Sequence, residues 1–174
     1  MVWYIFSFLL LFEEPAYANQ CHRVRSMTEL NETISVRHFV QLMCAEDRPS
    51  IDCLTESAQW TKFSKREWKA DPVPSEYSQV RIRYTVLKSS FYEILTVFSL
   101  TEPDRIIAAE LTELFGSPSV PPRVSWQSPH TAVFDKALKG NDSCRVILYA
   151  HQEMTDVDQI RPYKIAVVRS WSSQ

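Results

Sequence analysis

Residues 80–100 read VRIRYTVLKSSFYEILTVFSL. Val80, Ile82, Tyr84 and Val86 alternate with Arg81, Arg83, Thr85 and Leu87. On an extended chain, residues two apart share a face, so this alternation predicts a strand with one side buried. Ser89-Ser90 supplies a turn. Phe91 to Leu100, rich in aromatic and β-branched side chains, predicts a second strand.

Downstream of this pair, Thr101 is a candidate cap for a helix that starts at Glu102 or Pro103 and ends at Phe115. Pro103, Glu102 and Asp104 suit its first turn. Ile106, Ile107, Leu111, Leu114 and Phe115 form its apolar stripe. Gly116 fits the left-handed position that ends a helix, and Pro118 prevents continuation. Further strands are expected at residues 123–127, 131–135, 144–151 and 163–171. Lys139-Gly140-Asn141-Asp142 is a strong turn between two of them.

Upstream, the period is helical. Ser26 with Glu29 makes a capping box, and Val36, Phe39, Val40 and Met43 recur at helical spacing. A helix is expected over residues 27–44. A polar turn that includes Pro49 follows, then a second helix over residues 52–68 with Leu54, Ala58, Trp60 and Phe63 as its less regular apolar positions. Asp71-Pro72-Val73-Pro74-Ser75 ends the helical part. The class expected is α+β: an N-terminal helical hairpin over residues 19–70, then a mostly antiparallel sheet of about five or six strands over residues 76–174. One helix is inserted after the second strand, and helices pack on one face.

Residues 1–18 read as a cleavable secretion signal. Val2 to Phe12 is apolar apart from Ser7, and about eleven helical residues span roughly half a bilayer core. Pro15 breaks the helix, and Ala16-Tyr17-Ala18 has the small-residue spacing of a cleavage site. The remaining chain suffices for a single exported domain with a real core.

All four cysteines, Cys21, Cys44, Cys53 and Cys144, follow that segment. An even count in an exported chain predicts two disulfides. The expected helical hairpin would bring Cys44, at the end of one helix, beside Cys53 at the start of the next. That favours Cys44–Cys53 and, by elimination, Cys21–Cys144. Asn31-Glu32-Thr33 and Asn141-Asp142-Ser143 are glycosylation sequons if the chain passes through a eukaryotic secretory pathway.

Net charge is −2 with no basic stripe, which disfavours nucleic acid as partner. The only glycines are Gly116 and Gly140, so Gly-rich phosphate loops are excluded and no cofactor is implied. Cysteine and histidine spacing predicts no metal site. His38 reads as a helix-boundary residue. His130, in a loop, and His151, at a strand end, are candidate general bases, with Asp135 and Ser128 as conceivable partners. Trp68 lies among Lys65, Arg66 and Lys69, and tryptophan and arginine are enriched at binding hot spots. Phe63, Arg66 and Trp68 are therefore a candidate contact surface. The leading expectation is an exported, disulfide-bonded protein that binds another protein. A small exported hydrolase with a histidine base, and a structural subunit of an envelope complex, are the alternatives.

Overall fold

The alternation at residues 80–100 produces the central hairpin of one antiparallel sheet. The computed structural model describes residues 34–55, 59–88, 90–102, 106–121, 125, 128–151 and 160–172. The expected secretion signal, the Ser26–Glu29 capping box, Cys21 and the Asn31 sequon lie outside them. In chain order the elements are α1 (Val36–Met43), α2 (Ile51–Thr55), β1 (Trp60–Ser64), β2 (Glu67–Ala70), β3 (Tyr77–Lys88), β4 (Phe91–Leu100), α3 (Ile106–Phe115), β5 (His130–Ala137), β6 (Ser143–Ala150) and β7 (Lys164–Ser172). The seven strands lie in the order β1-β2-β3-β4-β7-β6-β5, and every pairing is antiparallel. An α+β class fits. The strands outnumber the five or six expected.

The register puts Val80 and Ile82 of β3, Ile94 and Phe98 of β4, and Ile165 and Val167 of β7 on one face. All are buried. Removing such a side chain from water stabilises by roughly 1.5–3 kcal/mol. Both longer helices cover this face. Phe39 of α1 meets Phe98 at 5.5 Å and Trp60 at 5.8 Å, both edge-on. Phe115 of α3 meets Phe134 of β5 at 6.2 Å. At one end of the same face, the rings of Tyr92 and Trp171 stack at 5.6 Å, with Tyr84 beside them. The other face carries Arg81, Arg83, Leu95, Val97, Ile147 and Val168, none of them fully buried.

The N-terminal helical hairpin is not formed. Ser35 is extended and its hydroxyl accepts from the His38 amide at 3.2 Å, so α1 begins at Val36 rather than running unbroken from residue 27. The second helix is described over Ile51–Thr55, and residues 60–70, where it is expected to continue, form the β1–β2 hairpin instead. Its strands are short, and the register shifts between Lys62 and Ser64. That shift places one extra residue, Phe63, in β1 and breaks the two-residue alternation. Asp71 to Ser75 is then the β2–β3 loop, with a cis Asp71-Pro72 peptide.

Other expectations hold closely. α3 ends at Phe115, with Gly116 at φ 80°. Lys139 to Asp142 turns the chain from β5 to β6. The strand expected at 123–127 falls largely outside the described residues. Its described part, Ser125, is in a turn whose carbonyl accepts from the Ser128 amide at 3.0 Å. Among the described residues, no helix is long and apolar enough to cross a membrane.

Candidate binding surface

Three groups of polar and aromatic side chains stand out. The first fastens α1 to the sheet. A helix leaves its last carbonyls without internal partners, and they carry partial negative charge. Here cations meet them. Arg169 of β7 is fully buried, and its Nη1 donates to the carbonyls of Met43 at 3.1 Å and Ala45 at 2.6 Å. Its Nη2 donates to the Asp142 carboxylate at 2.7 Å and to the Glu46 carbonyl at 3.5 Å. Lys136 of β5 reaches the Cys44 carbonyl at 3.4 Å. Arg48 forks onto both Asp142 oxygens, at 2.9 and 3.2 Å, while its guanidinium lies 4.6 Å from the Trp171 ring centre. Burial raises the Asp142 pKa, but hydrogen bonds and charges from Arg48 and Arg169 outweigh it, leaving this carboxyl below its ordinary value.

Cys44, the residue that ends α1, is disulfide-bonded to Cys144 of β6, with Cα atoms 5.2 Å apart. This overturns both expected pairings, Cys44–Cys53 and Cys21–Cys144. The Cys44–Cys53 expectation needed a second helix running antiparallel to the first over residues 52–68, and residues 60–70 form a β-hairpin instead. Both sulfur-bearing residues of the observed link are buried. Cys53 is also disulfide-bonded, and there is no free cysteine among the described residues. Sequence reading did not single out Arg169. The available signal was parity, because Arg169 alternates with Ile165, Val167 and Trp171 on the core side of β7.

The second group holds the histidines. His130 opens β5 opposite Ala150, so it comes to the same end of the sheet as His151. The His151 ring stacks on Tyr163 at 4.1 Å. Asp135 lies five residues along β5 from His130, about 17 Å at the usual strand rise, and points to the opposite face. It pairs with Arg145, Nε to Oδ1 at 2.6 Å. The fold thus gathers the two histidines but leaves Asp135 away from both. Ser128 shares a 3.0 Å hydrogen bond with the Ser125 hydroxyl. His38 is half-buried in α1, and burial lowers its pKa. Among the described residues, no set of three or more histidine, cysteine and acidic side chains could hold a metal ion.

The third group is the β1–β2 hairpin. Phe63 sits at the bulge and is 63% exposed, with the Lys69 ammonium 3.4 Å from its ring centre. Arg66 occupies the exposed turn. Trp68 pairs with Lys62 across the hairpin, is half-buried against the core, and has the Lys62 ammonium 5.6 Å from its ring. Phe63 and Trp68 therefore serve opposite faces of the hairpin. Glu67 is the nearest carboxylate and is shared by Arg81 at 3.4 Å and Arg83 at 3.6 Å. Glu67, Lys69, Arg81 and Arg83 thus share one face, Lys62 lies on the Trp68 face, and Lys65 and Arg66 occupy the turn, so six cations lie on and beside this hairpin in a chain whose net charge is −2. Linear reading along the chain hides this patch, because Arg81 and Arg83 join it only through the β2–β3 register.

No family model, curated protein or solved structure significantly matches this chain.

Proposed function

We propose that this is an exported, disulfide-bonded protein that acts by binding another protein, and that the β1–β2 hairpin makes the contact. The observation that carries the reading is Phe63. A large apolar ring, 63% exposed on the outermost described strand with the Lys69 ammonium over it, has no evident structural task. Export is supported by the buried Cys44–Cys144 link, because such bonds form and persist in oxidising compartments. The apolar segment and A-x-A triplet of residues 1–18 support it from the sequence side. Enclosure of Arg169 and of the disulfide favours a rigid scaffold that presents the hairpin, rather than a catalytic cleft.

The test is affinity capture from the native compartment with the oxidised protein and two variants, Phe63→Ala and Arg66→Glu. Both positions are exposed, so thermal stability should move by no more than about 0.5 kcal/mol. Capture of the partner should fall by about tenfold or more. Trp68→Ala, in contrast, should cost about 2 kcal/mol of stability, because that ring packs on the core. Full capture by both exposed variants would rule the hairpin out as the contact.

A further inference from the structure

The two edges of the sheet are finished differently. On the outer side of β5, Ser119 forms an isolated bridge with Val133. The Ser119 amide donates to the Val133 carbonyl at 2.9 Å, and the Val133 amide donates back at 2.8 Å. That residue occupies the main-chain groups at the middle of the edge. On the outer side of β1 no strand or bridge is found among the described residues.

The β1 register tells which groups face outward. The Asp71 amide donates to the Gln59 carbonyl at 2.8 Å, so Gln59 and Asp71 are a hydrogen-bonded pair. Pairs alternate along an antiparallel ladder. Thr61↔Lys69 is then hydrogen-bonded, and Trp60↔Ala70 and Lys62↔Trp68 are not. The N–H and C=O groups of Trp60 and Lys62 therefore point away from β2, toward the open edge. An added strand would find two donors and two acceptors at ladder spacing, flanked by the exposed Phe63 ring.

We propose that the outer edge of β1 receives an acidic, extended segment of the partner protein as an eighth strand. This rests on the hairpin being the contact surface, and names what it contacts. Charge selects the occupant. A second copy of the chain would bring Lys62 and the turn cations Lys65 and Arg66 against their own kind, which repels, whereas carboxylates at alternate positions share one face of an added strand and would meet Lys62 on the Trp68 face. Main-chain hydrogen bonds supply affinity, and alternate side chains supply specificity.

The probe is a labelled peptide of about eight residues, a usual strand length, with glutamate alternating with valine. Its controls are the lysine–valine counterpart and the same acidic peptide with alternate main-chain nitrogens methylated. Binding is read by fluorescence anisotropy on the oxidised protein. The acidic peptide should bind, weaken as salt is raised, and outbind both controls by about tenfold or more. Lys62→Pro removes an outward N–H, which an edge strand tolerates, and should weaken the acidic peptide by about tenfold. Lys62→Thr keeps that N–H and loses only the charge, so it should weaken binding by about two- to threefold.

Equal binding of the methylated peptide overturns strand addition without reliance on any variant. Equal binding of the lysine–valine peptide overturns the acidic selection that names the occupant, and the proposal with it. Adsorption to anionic phospholipid vesicles that survives Lys62→Pro and displaces the peptide would reassign the patch to a membrane surface. If Phe63→Ala abolishes capture of the natural partner but Lys62→Pro leaves it intact, the hairpin contact stands and strand addition falls. If neither variant affects capture, both fall.

Discussion

Replacing Cys44 and Cys144 together by alanine should lower the unfolding free energy by about 4 kcal/mol. The link closes a loop with a sequence separation of 100 residues, and loop-closure entropy in the unfolded chain grows with that length. Domains of this kind have roughly 5–15 kcal/mol in total, so the loss is a large share. Urea unfolding of the double variant, compared with the oxidised parent, measures it. The double variant is preferable to either single one, because a single replacement leaves a buried thiol able to exchange with the second disulfide. Non-reducing peptide mapping supplies the companion result. It should recover a Cys44–Cys144 peptide, and the remaining cysteine, Cys21, joined to Cys53. Recovery of a Cys44–Cys53 peptide would refute this account.

Arg169→Met should cost about 3–5 kcal/mol, comparable to loss of the disulfide. The substitution nearly preserves the apolar stem. It strands the Met43 and Ala45 carbonyls and leaves the Asp142 carboxylate with Arg48 alone. Removing one member of a buried ion pair usually costs this much. Arg169→Lys should recover little, because one ammonium cannot reproduce a fork that reaches two carbonyls and a carboxylate. The same cluster sets an acid limit. Asp142 titrates lower in the folded state than in the unfolded one. Its contribution is complete above the unfolded value of about 4, and is lost as pH falls through the lowered folded value. Asp142→Asn should be less stable near neutrality and lack this acid-dependent loss. Cys144 and Arg169 are cross-strand partners, so a variant lacking both features should fall short of the summed single losses.

The middle of the sheet was legible in the sequence. Residues 80–87 and 91–100 fall within or match β3 and β4, because long strands buried on one side keep strict alternation. The end of α3 was legible too, since Gly116 is one of two glycines and takes the backbone conformation that L side chains avoid. The β1–β2 hairpin was not. Its strands hold five and four residues, and the bulge at Phe63 interrupts the alternation that would mark β1 as a strand. Phe63, Arg66 and Trp68 could be named from composition alone. What could not be read was that Arg81 and Arg83 would join them, because cross-strand neighbours are set by register. The disulfide failed for a related reason. Cys44 and Cys53 are near in sequence, but partners are chosen by the tertiary fold, and Cys144 lies where α1 ends.

The position of β7 has a consequence for how the chain is made. Among the described strands, β7 comes after β6 in chain order yet lies between β4 and β6, and it alone joins β1–β4 to β5–β6. A nascent chain that has not yet delivered residues 164–172 holds two separate meanders, each with one long raw edge. It also lacks Arg169 to close the end of α1. The sheet, the buried cation and the alignment of Cys44 with Cys144 are all completed when residues 164–172 emerge. A chain halted before residue 164 would hold both halves of the sheet with neither the strand that joins them nor the geometry for the Cys44–Cys144 link.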